Sequence, residues 1–148
     1  MPKLLIVRHG EASFDADTDA NRQLTEFGIK QAQALAVQAQ RLLPDAQIIS
    51  SPYLRARQTG NELAERLGIS MSFDDNLIPE AIPAKMMGRM LECDMDTILF
   101  SHMPFVDQLA AYLTGRGGYA WGTGCGLLLD GDVFAANCMT EQAWLKPE

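Results

Sequence analysis

Short runs of apolar residues alternate along this chain with longer segments in which apolar residues recur every three or four positions. Continuous apolar runs are typical of strands buried on both faces, and the three-and-four spacing is typical of helices that pack through one face. The runs predict strands over residues 3–8, 47–51, 71–73, 97–101 and 125–130, with a further pair over 133–136 and 142–145.

Two long helices are predicted from their capping residues as well as from their apolar faces. Thr25 is expected to N-cap the first helix, which Pro44 ends. Ser51 is expected to N-cap the second, with Pro52 at its first helical position and Gly68 just past its end. Both segments carry alanine and leucine at the spacing of one buried face, so each is expected to pack against the sheet.

Two further helices and a turn complete the predicted architecture. One short helix is predicted over about 84–93, and another from near Pro104 to Gly115. The Asp-Gly-Asp turn at residues 130–132 predicts a hairpin, so that edge of the sheet is expected to be antiparallel. The alternation of strands and helices predicts an α/β three-layer sandwich with a mostly parallel central sheet and helices on both faces. One domain is expected over residues 1–148.

Charged or imidazole side chains follow three of the predicted strands. Arg8 and His9 come at the end of the first strand, Arg55 follows the second by a few residues, and His102 follows the strand at 97–101. The carboxyl ends of parallel strands line one edge of a sheet, where α/β proteins bind ligands, so we expect these four side chains to meet there. Arginine and imidazole groups gathered at one point predict a phosphate site.

Each of these residue types has a role in phosphoryl transfer. Arg8 and Arg55 are expected to clamp the phosphate through charge-assisted hydrogen bonds, and Arg55 also lies near a helix N-terminus. Arg57 is expected to lie at the rim of the site or on the surface. His9 is expected to be the nucleophile, because an imidazole with a pKa of about 6.5 is mostly neutral at neutral pH and nearby arginines keep it so. His102 is expected to donate to a phosphate oxygen. These groups supply the positive charge, so no metal and no cofactor are expected.

The acidic composition limits the kinds of partner. A net charge of −7 and a pI near 4.7 argue against general nucleic-acid binding, which relies on many lysines and arginines. A positive pocket on a negative body favours a small anion or a phosphorylated side chain instead. The three cysteines are odd in number and not spaced as a zinc site, so free thiols are expected. The first apolar stretch is too short for a signal peptide or a membrane span, and a soluble cytoplasmic protein is expected.

The segment from residue 115 to residue 126 contains six glycines. It matches neither the GxxxxGK[ST] phosphate loop nor a GxGxxG turn that opens a helix. A flexible loop is therefore predicted.

Three motifs in this order resemble those of the histidine phosphatase superfamily: Arg8-His9-Gly10, then Ser50-Ser51-Pro52 with Arg55-Ala56 and Gln58-Thr59, then Ser101-His102. The short length, the Arg-Gln-Leu-Thr segment at 22–25 and the corner at 101–104 most resemble its SixA-type phosphohistidine phosphatases. The resemblance implies a phosphoglycerate mutase-like fold in which His9 becomes phosphorylated and water hydrolyses the intermediate. It also implies that Arg8, Arg55 and His102 bind the phosphoryl group, with Arg22 as a further phosphate-binding candidate.

Glu80 is the candidate for a general acid. Larger members of the superfamily place a carboxylate on the loop after the third strand, where Glu80 lies, although a solvated loop carboxylate is an equally good interpretation. A phosphohistidine loses an imidazole that solvent can protonate, because its pKa is about 6.5, whereas an alkyl phosphate loses a much poorer leaving group. Weak dependence of the rate on Glu80 would therefore indicate a phosphohistidine substrate.

The stretch between the third predicted strand and Ile98 has room for one short helix and no large lid. An open site suits a phosphate displayed on another protein. The leading hypothesis is a phosphatase that removes phosphate from a histidine phosphotransfer domain through a phospho-His9 intermediate. The alternatives are a phosphatase of small phosphomonoesters, acting on a phosphorylated metabolite, and a non-catalytic phosphate-binding regulatory module. Neither nucleic acid nor a membrane is expected as a partner.

Overall fold

Strand β1 (Lys3–Arg8) lies inside the sheet, and its four central residues are buried. It pairs in parallel with β4 (Thr97–Ser101) and antiparallel with β5 (Gly126–Gly131). The computed structural model describes residues 2–148, and across them the strand order is β3-β2-β4-β1-β5-β6. The remaining strands are β2 (Gln47–Ser50), β3 (Ser72–Phe73) and β6 (Met139–Leu145).

Four helices cover the two faces of this sheet within the described residues: α1 (Glu26–Leu42), α2 (Leu54–Leu67), α3 (Pro83–Gly88) and α4 (Phe105–Thr114). The alternation of side chains along β1 divides the core between them. Leu5 and Val7 pack with the buried residues of α1 and α2, whereas Leu4 and Ile6 pack with those of α3 and α4. The predicted α/β three-layer sandwich is therefore confirmed. No helix within residues 2–148 has the length and apolar character needed to cross a membrane.

The helix ends explain how α1 and α2 are positioned. The Thr25 hydroxyl accepts a hydrogen bond from the backbone N–H of Gly28, at 3.0 Å, so the predicted N-cap of α1 is confirmed. Helix α2 ends at Gly68, whose φ of 68° is a left-handed conformation that suits glycine.

The start of α2 differs from the prediction. The helix begins at Leu54, and Tyr53 occupies the cap position without a side-chain hydrogen bond. Pro52 therefore precedes the helix, and Ser51 is not its N-cap. The hydroxyl of Ser51 instead lies 2.7 Å from a ring nitrogen of His102, a contact across the sheet that a local capping signal does not contain.

The third helix and the chain end also differ in extent. Helix α3 stops at Gly88 rather than near residue 93, because glycine weakens a helix and the chain continues in turns that bury Met90. Strand β6 does pair antiparallel with β5, but no strand forms over 133–136. That apolar run lies in the connecting loop, where Phe134 is fully buried in the core and anchors the loop. The three cysteines are free thiols, as predicted.

Candidate active site

The ends of β1 and β4 bring the two histidines together. Arg8 is the register partner of Ser101, so the residues that follow, His9 and His102, leave the sheet side by side. The backbone N–H of His9 donates to the Ser101 carbonyl at 3.1 Å, and the two imidazole centroids lie 5.2 Å apart. The predicted meeting of strand-end side chains is therefore present in the structure.

A cavity of about 380 Å³ opens at this edge of the sheet. The five basic or imidazole side chains predicted for the site all line it: Arg8, His9, Arg22, Arg55 and His102. The rest of the lining comes from Glu11, Ala12, Phe14, Asp19, Pro79, Met103 and Thr123. Glu80 is exposed and does not line this cavity, although its neighbour Pro79 does. A larger open depression of about 540 Å³ lies between α1 and α2, and its lining has no histidine or cysteine.

Two glycines hold the His9 loop close to the start of α1. A side chain on Gly10 would collide with the backbone of Gly28, and a side chain on Gly28 would collide with the backbone of Glu11. The backbone N–H of Gly10 also donates to the hydroxyl of Thr59 on α2, at 3.0 Å. These contacts fix the backbone on the C-terminal side of His9.

His9 is buried, with 6% of its surface exposed, and its hydrogen bonds define its tautomer. Its Nδ1 lies 2.7 Å from the carbonyl of Gly10, and a carbonyl can only accept, so Nδ1 carries the hydrogen. Nε2 then holds a lone pair, which accepts from Nε of Arg55 at 3.3 Å. Burial, and then the charges of Arg55 and Arg8, lower the pKa of His9 to about 4. The imidazole is therefore neutral at neutral pH.

Arg55 is buried in the first turn of α2 and is held by a loop residue that the sequence did not single out. Its Nη1 donates to the backbone carbonyl of Asp19 at 2.7 Å, and its Nη2 pairs with the Asp19 carboxylate at 3.2 Å. Burial acts to raise the pKa of Asp19, but hydrogen bonds from Arg22 and Arg55 and their charges outweigh it and lower that pKa. Arg57, two residues along the helix, is exposed as predicted.

Arg22 reaches the same cavity because its loop folds back on itself. Ala12 and Leu24 form an isolated antiparallel bridge that closes the loop. Within it, Nη1 of Arg22 pairs with the Asp19 carboxylate at 3.2 Å, and the guanidinium lies 4.0 Å from the ring centroid of Phe14. Arg22 is thus part of the cavity wall rather than a solvated loop side chain.

His102 is 1% exposed and lies against His9 and the turn that precedes α2. Its Nε2 lies 2.7 Å from the Ser51 hydroxyl, and the ring of Tyr53 packs edge-on against it. Burial, then the neighbouring His9 and Arg55, lower the pKa of His102 to about 2. His102 is therefore neutral as well, so any hydrogen bond it makes to a ligand comes from an uncharged ring.

Two buried polar atoms at the cavity have no hydrogen-bond partner among residues 2–148: Nε of Arg8 and Nδ1 of His102. Buried polar groups are normally paired, because leaving one unpaired costs free energy. An oxyanion held between Arg8 and His102 would supply the missing acceptors. Within the same residues, no group of three or more histidine, cysteine, aspartate or glutamate side chains is placed to hold a metal ion.

The glycine-rich segment turns out to support Arg8. Nη1 of Arg8 donates to the backbone carbonyl of Trp121 at 2.6 Å. The carboxylate of Asp107 on α4 accepts from the backbone N–H groups of Gly118 and Tyr119 and from Nε1 of Trp121, at 2.9 to 3.1 Å. The segment has no helix or strand before Gly126, as a loop should, but it is tethered at several points. Sequence spacing gives no signal for Asp107, which lies in the first turn of α4 next to another polar residue, Gln108.

The fold and the site together define an α/β phosphatase built around two strand-end histidines and arginines that line one cavity. The sequence profile of the Histidine phosphatase superfamily (branch 1) matches residues 4–81, and the chain belongs to this superfamily. It is therefore a hydrolase with the phosphoglycerate mutase-like fold.

Individual proteins and solved structures similar to this chain give a more specific comparison than the superfamily profile. The chain is 30% identical over 121 residues to the phosphohistidine phosphatase SixA of Escherichia coli K12, covering 75% of this chain and 73% of that protein. The structure of the protein histidine phosphatase SixA complexed with tungstate superposes with a TM-score of 0.86 at 25% identity, covering 98% of this chain and 97% of the other. A mycobacterial glucosyl-3-phosphoglycerate phosphatase shares the fold with a TM-score of 0.74 at 18% identity, over 97% of this chain and 99% of that one.

Proposed function

We propose that this chain is a phosphohistidine phosphatase that removes the phosphoryl group from a histidine phosphotransfer domain through a phospho-His9 intermediate. The observation that carries the proposal is the state of His9: its Nδ1 hydrogen is held by the Gly10 carbonyl, 2.7 Å away, and its Nε2 lone pair lies beside Arg55. A neutral imidazole whose Nε2 is unprotonated is the form that attacks phosphorus. Similarity to the phosphohistidine phosphatase SixA of Escherichia coli supports the same substrate class.

The first step transfers the phosphoryl group to the enzyme. Nε2 of His9 forms a bond to phosphorus while the phosphorus–nitrogen bond of the substrate breaks, and the departing imidazole takes a proton from solvent. Arg8, Arg55 and His102 bind the phosphoryl oxygens and stabilise their charge, which is the main requirement for catalysis of this transfer. Arg22 adds a fourth donor at the rim.

The second step returns the enzyme to its starting state. A water oxygen forms a bond to phosphorus as the bond between phosphorus and Nε2 of His9 breaks. The water gives up a proton to solvent, inorganic phosphate leaves, and Nε2 regains its lone pair. The same arginines stabilise both transfers, because the phosphoryl group stays in one place while its two partners change.

Glu80 has a conditional role in this scheme. It is exposed and outside the cavity lining. The pKa of Tyr53, which packs against His102, is nevertheless raised, first by burial of the tyrosine and then by the charge of Glu80. Glu80 therefore lies near the mouth of the site. An imidazole leaving group does not need it, because solvent can supply the proton at a pKa of about 6.5.

The cavity also favours a second candidate function. A volume of about 380 Å³ is within the range of small-molecule sites and would hold a phosphorylated metabolite. A phosphatase of small phosphomonoesters would use the same two steps, with Glu80 or Glu11 as proton donor to the alkoxide. A non-catalytic module is not favoured, because the chain keeps the two histidines and the arginines of the site together.

We also propose that residues 1–148 work as one histidine phosphatase domain. Strand β1, near the start of the chain, lies between β4 and β5, and β6 near the end pairs with β5. The site therefore draws on elements from both halves of the sequence.

Rates on two substrate classes test the proposed function. Phosphate release is measured from a phosphohistidine-bearing phosphotransfer domain and from a panel of sugar phosphates and p-nitrophenyl phosphate. We expect kcat/KM to be highest for the phosphorylated domain and to collapse in Arg55→Ala. Arg57→Ala is the matched control, because Arg57 is on the same helix but exposed. A higher kcat/KM for one of the esters would contradict the proposal and favour the second candidate.

A further inference from the structure

Ser51 makes a contact that its position before α2 does not require. It is fully buried, and its hydroxyl oxygen lies 2.7 Å from Nε2 of His102. The same oxygen accepts a hydrogen bond from the backbone N–H of Tyr53 at 3.2 Å. The hydroxyl thus joins the polypeptide turn ahead of α2 to the ring of a histidine on the neighbouring strand end.

The hydrogen of this hydroxyl has one acceptor. A serine hydroxyl carries a single hydrogen, and among residues 2–148 its only remaining hydrogen-bond neighbour is Nε2 of His102. If Nε2 carried a hydrogen itself, two donors would face one another or the buried hydroxyl hydrogen would lack a partner, at a cost in free energy. Ser51 therefore donates to Nε2, and Nε2 is the bare nitrogen.

The other ring nitrogen of His102 is the one left for a ligand. Nδ1 is buried and has no partner among the described residues, and it belongs to a side chain that lines the cavity. A neutral imidazole carries one N–H, so a bare Nε2 means that Nδ1 carries the hydrogen. Nδ1–H can then donate to a phosphoryl oxygen. With the opposite tautomer, the lone pair of Nδ1 would face the lone pairs of that oxygen and repel it.

We propose that Ser51 is a positioning residue that fixes the Nδ1–H tautomer of His102, so that an uncharged histidine acts as a hydrogen-bond donor to the transferring phosphoryl group. The inference rests on the proposed function only for the identity of the ligand oxygen. The tautomer itself is a property of the free protein. Ser51 and Gly10 then have parallel tasks, since each fixes the hydrogen of one histidine on Nδ1, by donation in one case and acceptance in the other.

The chain offers a clean experiment, because it contains two histidines. Protein labelled with ¹⁵N at histidine is measured in a long-range ¹H–¹⁵N correlation spectrum at neutral pH, without substrate. His9→Asn leaves His102 as the single histidine and assigns its signals. We expect a protonated-type Nδ1 and a bare-type Nε2 for His102 in the wild type.

Two serine variants then test the cause. In Ser51→Ala we expect His102 to lose the pure Nδ1–H pattern. We also expect kcat/KM to fall roughly 10- to 100-fold, as it does when a residue that orients a functional histidine, or a donor to an oxyanion, is removed. Ser51→Thr keeps a hydroxyl and should retain both the Nδ1–H pattern of His102 and the wild-type kcat/KM. Ser50→Ala is the matched control: it removes the adjacent buried hydroxyl, which bonds to the Ser51 carbonyl instead of to His102.

Two results would overturn the inference: a hydrogen on Nε2 of His102 in the wild type, or an unchanged Nδ1–H pattern in folded Ser51→Ala. If Ser51→Ala fails to fold, the wild-type spectrum still decides the tautomer on which the inference depends. Failure of the proposed function appears elsewhere, as a preference for esters in the rate measurements, so the two claims can fail separately.

Discussion

Nε of Arg55 lies 3.3 Å from Nε2 of His9, so the positive charge proposed to bind the substrate also acts on the proposed nucleophile. The guanidinium disfavours a second proton on the imidazole, so Nε2 stays unprotonated. The arrangement requires a buried arginine, and the backbone carbonyl and carboxylate of Asp19 supply the partners that make this burial possible. One contact thus links the proposed phosphate-binding charge to the protonation state of the proposed nucleophile.

The depressed pKa of His9 predicts its titration. The pKa is about 4 in the folded protein, against about 6.5 for an unperturbed histidine, because burial and the arginines disfavour the charged ring. A histidine chemical-shift titration is expected to place the midpoint for His9 near 4. A midpoint near the ordinary histidine value would contradict this account of the site.

The same shift predicts a dependence of stability on pH. Between about pH 4 and pH 6.5 the unfolded chain binds more protons at this residue than the folded chain does, so the free energy of unfolding rises with pH across that window. Acidification should therefore lower the melting temperature, and His9→Asn should lose part of this dependence. Parallel melting curves of the two proteins across the window measure the difference.

Asp19 is predicted to compete with the phosphoryl group. Its carboxylate pairs with both Arg22 and Arg55, two of the three arginines that line the cavity. Asp19→Asn keeps the backbone carbonyl contact to Arg55 but removes the negative charge, so inorganic phosphate should bind more tightly. Since the carboxylate is half-exposed, the expected gain is about two- to fivefold. Competitive inhibition by phosphate measures it, with Asp17→Asn as the control for charge in the same loop. Weaker phosphate binding in Asp19→Asn would show that the carboxylate mainly positions Arg55.

Asp107 is predicted to act on Arg8 through the glycine-rich segment. Asp107→Asn replaces a carboxylate that accepts three N–H groups by an amide that brings donors of its own, so the Trp121 carbonyl loses its fixed position beside Arg8. The free energy of unfolding should fall by about 1–3 kcal/mol, and KM should rise. Chemical denaturation and steady-state rates measure the two effects. Asp45→Asn, an exposed loop carboxylate, is the control. An unchanged KM would separate the segment from the site.

Glu80→Gln is predicted to separate the two substrate classes. For a phosphohistidine domain we expect a change in kcat of less than about threefold, because solvent can protonate the departing imidazole. For p-nitrophenyl phosphate or a sugar phosphate, a loss of about 10²-fold or more would identify Glu80 as the proton donor. A large loss on the phosphohistidine substrate as well would assign Glu80 to the main reaction.

The sequence predicted the central site because that site depends on strand ends. Arg8, His9 and His102 follow buried strands whose continuous apolar runs are visible in the chain, and parallel strands align their carboxyl ends. The register of Arg8 with Ser101 is the consequence. Arg55 was predicted for a related reason, since it lies in the first turn of the helix after β2.

The residues that support these groups could not be predicted, because their contacts join segments distant in the chain. Ser51 has the local pattern of an N-cap, but its hydroxyl bonds to His102, fifty-one residues away. Asp19 meets Arg55 only after the loop closed by Ala12 and Leu24 has folded. The run at 133–136 predicts a strand because an apolar residue that anchors a loop, here the buried Phe134, gives the same pattern as a strand residue.

Trapping the phosphorylated enzyme tests the central claim most directly. The protein is mixed with a phosphotransfer domain carrying labelled phosphohistidine, quenched in base to preserve phosphorus–nitrogen bonds, and digested for mass spectrometry. If His9 is the nucleophile, we expect label on the peptide containing His9 in the wild type and no labelled enzyme in His9→Asn. Label on His102, or label that persists in His9→Asn, would contradict it.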